Sequence, residues 1–282
     1  MILAVASGKG GTGKTTVSVN LAKVLDADVL LLDCDVEEPN DHLFLKGFTT
    51  SEEIVTVPIP QVDRSRCDGC GECGKFCEYH AIASFGTTPL VFPEMCHGCG
   101  GCAKVCPKKA IHEIEKRIGV VETVQAGSIT LIQGRLDVGM TMAPSVIREV
   151  KARLQEGLPA ILDTPPGTSC PVIAAIRGAD FVVLVTEPTP FGLHDLRLAV
   201  GMVRELGIPF GIVVNRVGIG DDRVHAYCNE EDISVLLEIP DDRRIAEAYS
   251  RGEMIVESLP EYRGLFLTLV ERAMNLTTGK GH

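Results

Sequence analysis

Apolar residues along this chain gather in short runs of about five, and between them lie longer segments of helical period. Ile2–Ala6, Val29–Leu32, Ala160–Leu162, Phe181–Thr186, Phe210–Val214 and Val235–Ile239 are runs of the kind that fills parallel strands buried on both faces. The first is followed by a glycine-rich loop and a helix through Leu25. A hairpin is expected over Val120–Val124 and Ile129–Gln133, and a helix after Pro144. Strands alternating with helices predict an α/β layer structure built on a mostly parallel sheet.

Between about residues 60 and 116 this pattern stops. The segment is rich in cysteine and glycine and has no sustained helical period, and proline-punctuated stretches at Val57-Pro58-Ile59-Pro60 and around Pro89 and Pro93 frame the change. It therefore reads as a small inserted α+β module. The expected organisation is a discontinuous domain over 1–59 and 117–282, interrupted by an insert over 60–116. The insert repeats itself, since Cys67 to Ala83 and Cys96 to Glu113 each place an Ala-Ile pair (Ala81-Ile82, Ala110-Ile111) shortly after the last cysteine.

Composition narrows the partners. A net charge of -11 provides no broad basic surface for nucleic acid or an anionic membrane. No apolar run is long enough to span a bilayer, and Met1–Ala6 lacks the layout of a secretory signal. Leu265–Val270, flanked by Glu261 and Glu271, reads as a helix packed on the domain and not as a membrane-surface helix. A cytoplasmic location is expected. Eleven cysteines in a reducing compartment indicate metal ligation or catalysis in place of disulfides.

Two motifs carry the chemistry. Gly8-Lys9-Gly10-Gly11-Thr12-Gly13-Lys14-Thr15 fits G-x4-G-K-[ST] between a strand and a helix. Its glycines let backbone N–H groups approach a polyphosphate, the helix N-terminus adds favourable potential, Lys14 reaches the β and γ phosphates, and Thr15 ligates Mg2+, with Thr16 beside it. The second motif is a pair of C-x2-C-x2-C-x3-C runs, Cys67, Cys70, Cys73, Cys77 and Cys96, Cys99, Cys102, Cys106. In such runs three cysteines hold one cuboidal cluster and the fourth ligates the other. The expected sets are Cys67, Cys70, Cys73, Cys106 and Cys96, Cys99, Cys102, Cys77, each on a 4Fe-4S cluster. Zinc sites instead use four ligands in paired C-x2-C units. Cys106 is followed by Pro107 but Cys77 by Glu78, so the cluster taking Cys77 is expected to be the more exposed. With four cysteines per cluster, His80 and His97 fall outside the ligand sets.

The wording GKGGTGKT, with its early Lys9, resembles the deviant Walker motif of the MinD, ParA and nitrogenase iron protein superfamily, and DTPPGT at 163–168 is closest to the Mrp-type iron–sulfur carrier ATPases. With the cysteine runs included, the chain resembles MinD-superfamily P-loop ATPases that carry an inserted bacterial-type ferredoxin domain. The resemblance implies ATP hydrolysis, slow and stimulated by a partner or by redox state, in a sandwich dimer where Lys9 acts across the interface. It implies that Asp35 orients the attacking water and Asp33 supports the Mg2+ shell. It further implies that Asp163 holds Mg2+ through water, that the Gly167 N–H senses the γ phosphate, and that Asn215 and Pro240 contact adenine. Read from the residues alone, Asn215 also suits a strand-end turn.

The implied cofactors are ATP, Mg2+ and two 4Fe-4S clusters. The implied partners are a second copy or a paralogous ATPase, and a redox or iron–sulfur protein. Three functions fit: nucleotide-coupled electron transfer, cluster assembly and delivery, or a nucleotide-gated docking module. Of the three cysteines outside the runs, Cys34 and Cys228 read as small core residues. Cys170 lies seven residues after Asp163, the offset at which the nitrogenase iron protein carries a ligand of its subunit-bridging cluster, so the resemblance implies a place near the dimer interface.

Overall fold

A computed structural model describes residues 1–86 and 88–278. In chain order its elements are β1 (Ile2–Ala6), α1 (Lys14–Val24), β2 (Val29–Asp33), β3 (Phe48–Val62), α2 (Glu72–Phe76), β4 (Ile82–Ala83), β5 (Leu90–Val91), α3 (Gly101–Lys104), β6 (Ile111–Ala126), β7 (Ile129–Leu136) and α4 (Ala143–Lys151). There follow β8 (Ala160–Asp163), α5 (Cys170–Ile176), β9 (Phe181–Thr186), α6 (Pro190–Glu205), β10 (Phe210–Val217), α7 (Arg223–Glu230), β11 (Val235–Pro240), α8 (Arg243–Ser250), α9 (Ile255–Ser258) and α10 (Arg263–Thr278). The chain forms two compact units, one of residues 1–52, 121–135 and 147–282, the other of 53–120 and 136–146.

The nine-stranded sheet has the order β11-β10-β9-β1-β8-β2-β7-β6-β3. Within the first unit it consists of the strands from β11 to β7, which pair in parallel, with the 121–126 part of β6 and the 48–52 part of β3. Continuous apolar sequence explains why these strands are central, for both faces of β2, β8 and β9 are buried. One cluster joins Val17 and Leu21 of α1, Phe266 and Leu269 of α10, and Leu3, Val5 and Leu31 of the strands. The C-terminal apolar segment is thus part of the core, as its sequence suggests. Among the described residues no helix is long and apolar enough to cross a membrane.

In the second unit α2 and α3 pack on each other, and β4 pairs with β5 in antiparallel fashion. One buried cluster there joins Cys73, Ile82 and Ile111, with Val62, Cys77, Val91, Cys102, Ala103 and Cys106 packed around it. Both Ala-Ile pairs are buried. The strand the sequence hides is β3. Its polar first half and two prolines read as a linker, yet Val55, Val57 and Ile59 alternate inward along it.

Candidate functional site

Parallel register gathers the nucleotide residues at one end of the first unit's sheet. Val5 of β1 lies opposite Asp163 of β8, and Asp163 opposite Asp33 of β2, so the glycine loop and both aspartates leave the carboxyl ends of three adjacent strands. Gly11 and Gly13 have φ of 78° and 93°, which an L side chain resists. Gly8 has a different reason to be glycine, because a Cβ there would stand 2.2 Å from the Asp195 carbonyl oxygen of α6. At Gly10 and Gly11 a Cβ would meet nothing, so these backbone groups face open space.

The loop is braced from behind. The Asn215 side-chain amide donates to the Thr12 carbonyl at 2.8 Å, and the Gly167 N–H donates to the Ser7 carbonyl at 2.9 Å. The two groups expected to meet adenine and the γ phosphate are therefore engaged with the loop here, which ties the segment after β8 and the end of β10 to the phosphate site. Pro240 ends β11 beside Val217 of β10. Lys9 turns toward its own chain: its Nζ lies 3.2 Å from Glu187, which also takes Arg216 at 3.3 Å.

Beneath the loop sits an acidic cluster. Thr15 Oγ1 donates to Asp163 Oδ2 at 2.7 Å and lies 2.9 Å from Asn40 Oδ1, and Ser18 Oγ donates to Asp163 Oδ1 at 3.0 Å. Asp33 accepts the backbone N–H groups of Asp35, Asn40 and Asp41, which pins the intervening loop to the end of β2. Burial, reinforced by Asp163, holds the Asp33 carboxyl well above the usual range, and burial with Asp33 and Asp163 does the same to Asp41. Burial also raises Asp163, against the pull of Lys14 and Thr15, and lifts half-buried Asp35 to about 6 against Lys14. Among the described residues no three His, Cys, Asp or Glu side chains close on a single point. Thr15 and Asp163 fit an Mg2+ ion that also takes oxygens from the nucleotide.

The cysteines of the second unit fall into the two crossed sets. Cys67, Cys70, Cys73 and Cys106 line one cavity with Val62, Pro89 and Ile111; Cys77, Cys96, Cys99 and Cys102 line another with Phe76, Tyr79 and His97. The repeat extends to the backbone. Gly69 and Gly71 of the first run have φ of 74° and 81°, and Gly98 and Gly100 of the second 65° and 67°. Three residues after each fourth cysteine, His80 and Lys109 take positive φ and donate N–H to Cys77 and Cys106 carbonyls. The turn is the same with or without Pro107.

Backbone N–H groups of Gly98 and Ala110 point at the sulfurs of Cys96 and Cys106, at 3.4 and 3.3 Å. Burial pushes the Cys73, Cys96 and Cys102 thiols up, Cys102 to about 11, so metal uptake at neutral pH displaces protons. The cavities differ in size, about 10 Å³ for the first and about 340 Å³ for the second. Tyr79 and His97 stack beside the wider one with centroids 3.6 Å apart.

Residues 3–256 match the CobQ/CobB/MinD/ParA nucleotide binding domain family. The chain belongs to that family. Among curated relatives, the uncharacterized protein MJ0579 of Methanocaldococcus jannaschii is 33% identical over 91% of this chain and 92% of its own length. The iron-sulfur cluster carrier protein of Aquifex aeolicus is 28% identical over 92% of this chain and 63% of its own. The structure of the septum site-determining protein MinD from Pyrococcus horikoshii superposes with a TM-score of 0.60 at 22% identity, covering 96% of this chain and 94% of that one. The fold is shared along nearly the whole length.

In this MinD/ParA-type ATPase several residues at the site escaped the sequence reading. Glu187 directly follows β9, an acidic residue at the carboxyl end of a parallel strand, which is the same signal that singled out Asp163. Asn40, Asp41 and Ser18 gave no such signal, since they are brought to the site by the loop after β2 and by the buried face of α1. Cys34 and Cys228 are buried, and Cys170 is the exposed first residue of α5.

Proposed function

We propose that this ATPase is a nucleotide-driven iron–sulfur protein, in which Mg-ATP closes a dimer and that closure is coupled to electron transfer through two 4Fe-4S clusters. The observation that carries the reading is the partition of eight cysteines of the second unit between two cavities, four to each, with Cys77 and Cys106 crossed between the runs. Bound clusters supply one-electron carriage. The chain's own part is to hold them with Cys67, Cys70, Cys73, Cys106 and with Cys77, Cys96, Cys99, Cys102, and to direct backbone N–H groups at sulfur, which tunes their potentials.

At the nucleotide, Gly8–Gly13 cradle the phosphates, Lys14 neutralises the β and γ oxygens, Thr15 and Asp163 hold the cation, and Asp35 orients the attacking water. Lys9 leaves Glu187 to reach the partner's nucleotide, and Asn215 and Pro240 flank the adenine. Catalysis on this reading is positioning and charge stabilisation.

Anaerobic purification followed by iron analysis and EPR of the reduced protein tests it. About eight irons per chain are expected, with a cluster signal or potential that shifts when Mg-ATP is added. A signal indifferent to nucleotide would remove the coupling. The relatives named as iron-sulfur cluster carriers favour a second reading, delivery of clusters to an apo-protein. Transfer of iron to an apo-ferredoxin would support delivery; reversible reduction with all iron retained would support electron transfer.

A further inference from the structure

The acidic cluster contains a carboxylate with no role so far. Asp41 is fully buried, neither of its side-chain oxygens accepts from a protein donor, and the polar group it meets is the Asp163 carboxyl, with which it must share a proton. A buried acceptor pair left unmatched is costly, and its presence calls for a counterpart. The surroundings sharpen the demand. Asp41 opens a 3-10 turn over Asp41–Phe44, and its carboxyl lies against that of Asp163, with Asp33 close by. Acceptors there outnumber donors: one Thr15 hydroxyl proton faces both Asp163 Oδ2 and Asn40 Oδ1. Turning the Asn40 amide over would relieve Thr15 but bring no donor to Asp41.

Asp33 is differently placed. Its oxygens already accept three backbone N–H groups, at 3.1, 2.9 and 3.2 Å. A carboxylate has about four acceptor positions, so Asp33 has little left to offer a cation. Its work is to fix the loop that carries Asp35, Asn40 and Asp41. Asp41 accepts from no protein donor and meets another carboxyl, that of Asp163.

We propose that Asp41, and not Asp33, supplies the second carboxylate of the divalent-cation site, beside Asp163 and the Thr15 hydroxyl. The inference rests on the reading that nucleotide binds with Mg2+ at Thr15 and Asp163. A divalent cation there takes the place of the proton between the Asp41 and Asp163 carboxyls and satisfies the competing acceptors around Thr15 in one step. The cation site then includes the loop after β2 directly, and the cation becomes a second tie on that loop beside the backbone bonds to Asp33.

The test is titration of Mn2+ into the full chain saturated with ADP, with free Mn2+ read by EPR. Asp41→Asn keeps the shape, and it is expected to weaken Mn2+ binding at least about tenfold while ADP affinity in EDTA stays within about twofold. A purely structural Asp41 would leave the Mn2+ affinity of Asp41→Asn unchanged, and that result overturns the proposal. Where Asp41→Asn does not fold, Asp41→Ser carries the same comparison. Asp163→Asn separates the two levels of the argument: if it too leaves Mn2+ binding unchanged, the cation site is misplaced altogether and both readings fall. If Asp163→Asn weakens Mn2+ and Asp41→Asn does not, only the assignment of Asp41 fails.

Discussion

Replacing Glu187 with Gln is expected to strengthen nucleotide-dependent dimerisation. Glu187 is 6% exposed and holds Lys9 at 3.2 Å, while Arg216 approaches its other oxygen at 3.3 Å and is itself paired with Asp241 at 3.2 Å. At an effective dielectric of about 20, a charge pair at that separation is worth roughly 5 kcal/mol before desolvation and ordering are deducted. Lys9 is 32% exposed, so water recovers much of this, and a net hold of about 1.4 kcal/mol is a fair measure. That is about tenfold per lysine.

The proposed symmetric dimer would use two copies of Lys9, so freeing both should tighten it about a hundredfold. Gln preserves the side-chain volume and one acceptor, so the change tests charge and not packing. Sedimentation velocity with a non-hydrolysable ATP analogue reads the dimer constant directly. The gap between wild type and Glu187→Gln should narrow as salt rises, and Lys9→Ala in the variant background should abolish the gain. A dimer no tighter in Glu187→Gln, with nucleotide affinity intact, refutes the idea that Lys9 is withheld by its own chain.

The loop glycines separate by cause. Gly8→Ala drives a Cβ into the Asp195 backbone and should cost about 1–3 kcal/mol, seen as a thermal midpoint several degrees lower, whereas Gly10→Ala meets only open space and should keep the midpoint but lose ATP affinity. Crossed ligation predicts that Cys77→Ser with Cys96→Ser loses no more iron than either alone, while Cys77→Ser with Cys67→Ser loses nearly all of it; iron analysis and EPR decide. Chelator challenge should strip the set lining the wider cavity, Cys77, Cys96, Cys99 and Cys102, before the other. Asp35, lifted to about 6, loses its charge as pH falls through that value, so kcat/KM for ATP should drop about tenfold per unit below it. Stability runs the other way: between about pH 4 and 6 the folded state holds a proton the unfolded chain has lost, so this residue's contribution worsens as pH rises, and Asp35→Asn should be more stable than wild type at pH 8 and no more so at pH 4.

Most strands of the nucleotide unit were legible because a strand buried on both faces leaves an unbroken apolar run. Ile2–Ala6 and Phe181–Thr186 have the bounds the sequence suggests, and β8, β10 and β11 extend theirs by one to three residues. β3 was not legible. Its exposed half carries polar residues and its prolines are ordinary linker signals, so the two-residue alternation of Val55, Val57 and Ile59 was masked. The same contrast runs through the site. Lys14, Thr15 and Asp163 announce themselves by position in a motif or at a strand end. Asp41 and Glu187 matter through what lies across from them, and Asn215 and Gly167 are held by the loop in a way that only the three-dimensional arrangement discloses.

The second unit bears on whether the proposed clusters are cargo or fixtures. One buried cluster in it joins three residues, one of them Cys73, and three of the six residues packed around it are again cysteines of the two sets. Cysteines make up so much of this cluster that bound metal would add to the order of the loops around it. In the proposed ligation Cys77 and Cys106 cross between the sets, so loss of either cluster would release the end of one run and the body of the other. Surrender of a cluster would therefore loosen both runs at once, whereas a change of charge by one electron leaves every ligand in place. The way these residues are packed thus favours electron carriage over delivery. It also puts the weight of the comparison on the retained-iron arm of the transfer experiment, where a fixture and a cargo give opposite results.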